Sequence, residues 1–160
     1  MSEKRLLVLG VGNEIMGDDA VGLKVVRELK KKRLPEYVEV VEGGTLSFQL
    51  LNFLDRYDKI IIVDAIYSGG EPGDVKKLRF SELAQKIESS AVTSHDFDFF
   101  RVLKILGMIE KVPEAIVVGV EVERISFGER LSEKVEKGVL KAVEKIIREI
   151  ELFSFDKVHQ

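Results

Sequence analysis

A chain of 160 residues has room for one substantial hydrophobic core and not for two, so residues 1–160 are expected to form a single domain. Its 25 basic and 28 acidic side chains leave a net charge of −3, which offers no basic face to nucleic acid or anionic lipid. Cysteine is absent, so disulfides, thiolate nucleophiles and Cys-ligated metals are excluded, and any catalysis must use oxygen or imidazole.

Residues 6–9 are a continuous apolar run of the kind buried on both faces of a parallel sheet. The run passes into Gly10-Val11-Gly12-Asn13, then Gly17, then two adjacent carboxylates, Asp18 and Asp19. An amphipathic helix is expected from about 19 to 32, with Val21, Val25, Val26 and Leu29 as its apolar stripe. Lys30-Lys31-Lys32-Arg33 and then Pro35 close it. A dinucleotide fingerprint would need a third glycine three residues after Gly12, and position 15 is Ile. No Gly-Lys-Ser/Thr follows either, and a pair of carboxylates repels phosphate, so no nucleotide cofactor is expected. The pair suits a cation or a proton. Its plain structural alternative is helix capping, one aspartate accepting from first-turn N–H groups and the other complementing the helix dipole.

A second strand is expected at 38–41, a helix over about 45–54, and a third, strongly apolar strand at 60–63 that stops at Asp64. Right-handed crossovers place the first and third strands side by side when the sheet winds both ways from the first. Asp19 and Asp64 would then flank the crevice in which open α/β sheets bind ligands. Gly69-Gly70-Glu71-Pro72-Gly73 reads as a turn, residues 75–80 as an edge strand carrying Lys76, Lys77 and Arg79, and 81–87 as a short helix. Thr93-Ser94-His95-Asp96 opens another helix. Consecutive residues project in different directions, so Ser94, His95 and Asp96 cannot align as a hydroxyl–imidazole–carboxylate triad. Residues 115–120 form the last buried strand, followed by Glu121 and Glu123, and a long amphipathic helix spans about 132–153. The pattern predicts an α/β fold: an open, twisted, mostly parallel sheet of about five strands with helices on both faces. No apolar stretch has the ~20 residues of a membrane span and no cleavable leader is evident, so a cytoplasmic protein without membrane insertion is expected.

Taken in order, these residues resemble the hydrogenase maturation endopeptidases, which remove a C-terminal extension from the large subunit of nickel–iron hydrogenases. The resemblance rests on Gly10-Val11-Gly12-Asn13 with Gly17-Asp18-Asp19 and Gly22, on Gly44-Thr45, and on Ile61-Ile62-Val63-Asp64-Ala65. Pro72-Gly73, Ser94-His95-Asp96, Gly119-Val120-Glu121 and the segment 126–131 complete it. Val122 departs from the pattern, where a proline is frequent. The resemblance implies that Asp19, Asp64 and His95 are both the metal-binding and the catalytic positions. It also implies that the ion is nickel, supplied by the immature large-subunit precursor that is the partner, so the peptidase reads metal occupancy before cutting. Two carboxylates and one imidazole suit a first-row divalent ion and leave positions open for water or substrate. Whether Asp19 or Asp64 activates water or the ion polarises the scissile carbonyl stays open at this level, and a non-proteolytic nickel-binding accessory protein is the alternative function.

Overall fold

A computed structural model of the protein describes residues 4–44, 56–79, 114–128 and 130–158. Through them run β1 (Leu6–Val11), a 3-10 turn (Gly17–Ala20), α1 (Val21–Lys30), β2 (Val38–Gly44), β3 (Lys59–Ile66), β4 (Val75–Arg79), β5 (Glu114–Glu121) and α2 (Glu133–Val158). The five strands form one sheet in the order β2-β1-β3-β5-β4. All neighbouring pairs are parallel except β4 with β5. This is the expected α/β class, an open, mostly parallel sheet. The helices expected over 45–54, over 81–87 and from Thr93, with His95 in the last, lie outside the described residues.

The apolar runs become strands because both faces of the sheet are covered. Leu6, Val8, Ile61, Val63, Ile116 and Val118 pack on one face against Val21, Val25 and Leu29 of α1 and Val135, Val139, Val143 and Ile146 of α2. The residues between them, Leu7, Leu9, Ile60, Ile62 and Val117, point the other way and are buried too. Each such side chain contributes about 1.5–3 kcal/mol on leaving water, so the three central strands dominate the core. At the far end of α2 the Phe153 ring lies 5.7 Å from that of Tyr37 and closes the core over the start of β2.

Two boundaries differ from the sequence reading, both for local reasons. The α-helix begins at Val21 rather than near Asp19, because the 3-10 turn carries the two aspartates up to it. β3 does not stop at Asp64. Its pairing with β1 ends at Gly10 opposite Val63, but β5 still supplies Gly119, Val120 and Glu121 opposite Asp64, Ala65 and Ile66. Asp64 is therefore the first residue of β3 to pass beyond its neighbour β1.

The other end of β3 holds a buried ion cluster. Lys59 Nζ lies 3.3 Å from Glu149 Oε2, and Lys77 Nζ lies 2.6 Å from Glu149 Oε1. Burial alone would raise the Glu149 carboxyl, but the hydrogen bonds from Lys77 and Lys59 outweigh it and hold the group below its ordinary value. The cluster joins β3, β4 and α2 at the edge of the sheet opposite Asp64.

Candidate active site

From β1 the chain crosses through α1 to β2 on one side and later returns to β3 on the other, so the C-terminal ends of β1 and β3 border the switch point of the sheet. Two close approaches shape it. Gly12 has φ +148°, and a Cβ there would stand 2.1 Å from the Asp19 carbonyl oxygen, so only glycine lets the exit of β1 press against the 3-10 turn. A Cβ on Gly22 would stand 2.3 Å from the Val11 carbonyl oxygen and 2.4 Å from that of Val63. The first turn of α1 thus rests on the ends of β1 and β3 together.

Asp19 and Asp64 come to this place from its two sides. Asp19 is half-buried in the turn, and its Oδ2 accepts the main-chain N–H of Asn13 at 2.9 Å. Asp64 is buried at the point where β3 outruns β1, and its Oδ1 accepts the N–H of Ala65 at 2.7 Å. The loop between Asn13 and Met16 is held from outside by Arg27 of α1, which donates to Glu14 at 2.8 Å and to Glu42, at the end of β2, at 2.7 Å. Among the described residues no three His, Asp or Glu side chains gather as a metal-binding group. The third predicted position, His95, lies outside those residues.

The neighbouring aspartate has a different task from the capping the sequence suggested. Neither the 3-10 turn nor α1 has a side-chain cap. Instead Asp18 is fully buried and accepts four hydrogen bonds from distant backbone and side chain. Its Oδ2 takes the N–H groups of Glu123 and Arg124, both at 3.0 Å, and the Ser132 hydroxyl at 2.9 Å, while Oδ1 takes the Ser132 N–H at 2.7 Å. Its own N–H donates to the Arg124 carbonyl at 3.2 Å. These donors leave the end of β5 and the start of α2, and one carboxylate satisfies all of them. Asp18 fastens the turn that carries Asp19 to the segment after β5.

Glu121 belongs to the same edge, and the sequence reading names it without giving it a role. It ends β5, is buried, and accepts hydrogen bonds from the Ser68 N–H at 3.2 Å, from the Ser68 hydroxyl and from Lys76 Nζ at 3.3 Å. The Glu121 main chain adds to this, its carbonyl accepting from Gly73 N at 2.8 Å and its N–H donating to the Asp74 carbonyl at 2.8 Å. It fixes the turn that follows Asp64. The available signal was an acid directly after an apolar strand, the pattern that singled out Asp64.

Two carboxylates following the C-terminal ends of adjacent strands at the switch point of an open, mostly parallel sheet, in a chain without cysteine, define the class of this α/β protein. The comparisons make that class specific. The hydrogenase maturation protease family matches residues 23–149. The Hydrogenase 2 maturation protease of Escherichia coli is 34% identical over 146 residues, covering 89% of this chain and 88% of its own. The hydrogenase maturating endopeptidase HybD from E. coli superposes with a TM-score of 0.79 at 33% identity, covering 92% of each chain. HybD from Thermococcus kodakarensis, a nickel–iron hydrogenase maturation protease, gives 0.74 at 33% identity over 90% of this chain and 97% of its own. The chain belongs to the hydrogenase maturation protease family, a family of peptidases. Among the described residues no helix is long and apolar enough to cross a membrane.

Proposed function

We propose that this protein is the endopeptidase that removes the C-terminal extension of a nickel–iron hydrogenase large-subunit precursor after nickel insertion, the ion arriving with the substrate. The observation that supports this reading is that Asp19 and Asp64 follow the C-terminal ends of the adjacent strands β1 and β3, on elements locked by Gly12, Gly22 and Asp18.

Asp19, Asp64 and His95 are the residues that would hold the ion. Two carboxylates and an imidazole are hard or borderline donors, too few to enclose a first-row ion and without a soft ligand to retain it, which fits a metal brought in by another protein. An ion held there supplies Lewis-acid polarisation at the scissile carbonyl. The chain's part is to place that carbonyl and to present carboxylate oxygen to the attacking water. One aspartate takes a proton from water as the water oxygen adds to the carbonyl carbon, and returns that proton to the leaving amine as the C–N bond breaks. No nucleotide enters the scheme, and the work falls in the cytoplasm, before the hydrogenase is assembled.

The test is to incubate purified large-subunit precursor, prepared with and without nickel, with the protein and to follow the C-terminal peptide by mass spectrometry. The nickel-loaded form should be cut once and the metal-free form left whole. Equal cleavage of both would overturn nickel gating, and no cleavage of any hydrogenase precursor from the same cell would overturn the peptidase reading.

A further inference from the structure

Three segments leave the C-terminal edge of the sheet after β1, β3 and β5, and each sends one large apolar side chain into solvent. These are Ile15, Tyr67 and Phe127, with 54%, 58% and 76% of their surface exposed. Ile15 stands four positions before Asp19 and Tyr67 three after Asp64. The other large apolar side chains exposed among the described residues, Leu140, Leu152 and Phe155, all lie along α2. Single exposed apolar residues are ordinary on any surface, whereas a group of them on neighbouring loops at one edge of a sheet points to a recognition surface.

The three segments are fastened to one another. The Gly128 N–H donates to the Ile15 carbonyl at 2.7 Å, so the turn bearing Phe127 is tied to the loop bearing Ile15. Asp18 holds Glu123 and Arg124, just upstream of Phe127. On the other side, the Val122 N–H donates to the Ile66 carbonyl at 3.1 Å, and Tyr67 shares with Val122 and Glu123 the wall of a groove of about 160 Å³. Apolar side chains carried on a braced frame lose little freedom on binding, which favours their use as anchors.

We infer that Ile15, Tyr67 and Phe127 form an apolar rim that docks the protein substrate around the carboxylate crevice, so that the enzyme recognises a folded surface of the precursor as well as the peptide it cuts. The inference rests on the peptidase reading given above. The occupant is the precursor and not a second copy of this chain, because a copy seated on this rim would cover the crevice holding Asp19 and Asp64 and shut out the substrate. The carboxylates give a neutral peptide segment little attraction, and apolar anchors beside them supply it without adding charge to the reacting centre.

The test measures steady-state cleavage of nickel-loaded precursor by the full-length protein and by Ile15→Ser, Tyr67→Ser, Phe127→Ser and the Ile15→Ser/Phe127→Ser pair. Each single change should raise KM by about 5- to 30-fold, the range of an interface anchor, and the pair further, with kcat kept within about 2-fold. Circular dichroism and melting curves should match the parent, since the replaced side chains are exposed. Binding of the same precursor to Asp64→Asn, alone and combined with the rim changes, is measured in parallel. Wild-type cleavage with unchanged KM in the rim variants overturns the rim and leaves the peptidase reading standing. Rim-dependent binding without wild-type cleavage does the reverse. If sedimentation shows a dimer that the rim variants dissolve, the rim is a self-association surface and the inference falls.

Discussion

Ser132 gives both its main-chain N–H and its hydroxyl to the carboxylate of Asp18, at 2.7 and 2.9 Å, across 114 positions of sequence. The adjacent aspartates therefore divide the labour. Asp18 is turned inward and consumed by structure, and Asp19 is left half-buried at the crevice.

Replacing Asp18 should for that reason cost much more than a lost helix cap. In Asp18→Asn the amide nitrogen takes the place of one oxygen and faces an N–H donor, and in Asp18→Ala the Glu123, Arg124 and Ser132 donors lose their acceptor. We expect about 2–4 kcal/mol of destabilisation in urea unfolding for either change. A loss near 1 kcal/mol, the size of a cap, would mean that water replaces the carboxylate without strain.

Asp19→Asn, Asp64→Asn and His95→Ala should behave in the opposite way. Each is expected to lower cleavage of nickel-loaded precursor by at least about 100-fold, because it removes a donor acting at the reacting centre. Melting temperature and far-ultraviolet dichroism should stay close to the parent for the two Asn variants, which keep the side-chain shape. A variant cutting within about 10-fold of the parent shows that its residue lies outside the reacting centre.

The contrast between Asp18 and Asp19 shows what a sequence discloses. The strands could be read because burial on both faces leaves uninterrupted runs such as Leu6-Leu7-Val8-Leu9 and Ile60-Ile61-Ile62-Val63, and the adjacency of β1 and β3 follows from right-handed crossovers in a sheet that winds both ways from β1. That Asp19 and Asp64 follow the ends of neighbouring strands could be anticipated on the same grounds. The function of Asp18 could not, because its donors follow β5 and open α2, and no local pattern marks a main-chain N–H that lacks a partner. Glu149 was hidden for a related reason. A charged residue in an amphipathic helix reads as solvated, and only the fold brings Lys59 and Lys77 to it.

That ion cluster predicts an acid-sensitive contribution to stability. The Glu149 carboxyl is held below its ordinary value in the folded state, so the unfolded chain binds its proton first as pH falls. The stabilisation is complete above the unfolded carboxyl value of about 4.3 and disappears as pH drops through the lower folded value. Glu149→Gln should flatten this part of the stability-against-pH curve. Glu149→Ala, which leaves the buried Lys59 with the exposed Glu114 carboxylate at 4.0 Å in place of its buried partner, should cost about 3–5 kcal/mol at neutral pH, and Lys59→Met/Glu149→Leu should recover most of that loss. A double variant no more stable than the single would show that the ion pair itself, and not the poorly partnered lysine, sets the cost.

Gly22 supplies the last prediction, because it connects the packing of α1 with the position of the site. The space above this glycine is filled by the carbonyl oxygens of Val11 and Val63, at 2.3 and 2.4 Å from where a Cβ would stand. Both are main-chain atoms of buried strands and cannot turn aside as a flexible side chain would. In Gly22→Ala the first turn of α1 must therefore lift from the ends of β1 and β3. The higher helix propensity of alanine, worth up to about 1 kcal/mol, opposes a packing penalty of about 1–3 kcal/mol, and the penalty should prevail. The 3-10 turn leads directly into that helix turn, so Asp19 should move away from Asp64 while Asp18 still anchors the turn from beneath. Gly22→Ala should accordingly combine modest destabilisation in urea with a loss of cleavage larger than that destabilisation explains. The comparison is made at a temperature where the variant is fully folded. Full cleavage by a destabilised variant would show that the strand ends yield to α1 without moving Asp19, and would separate the packing of this helix from the geometry of the site.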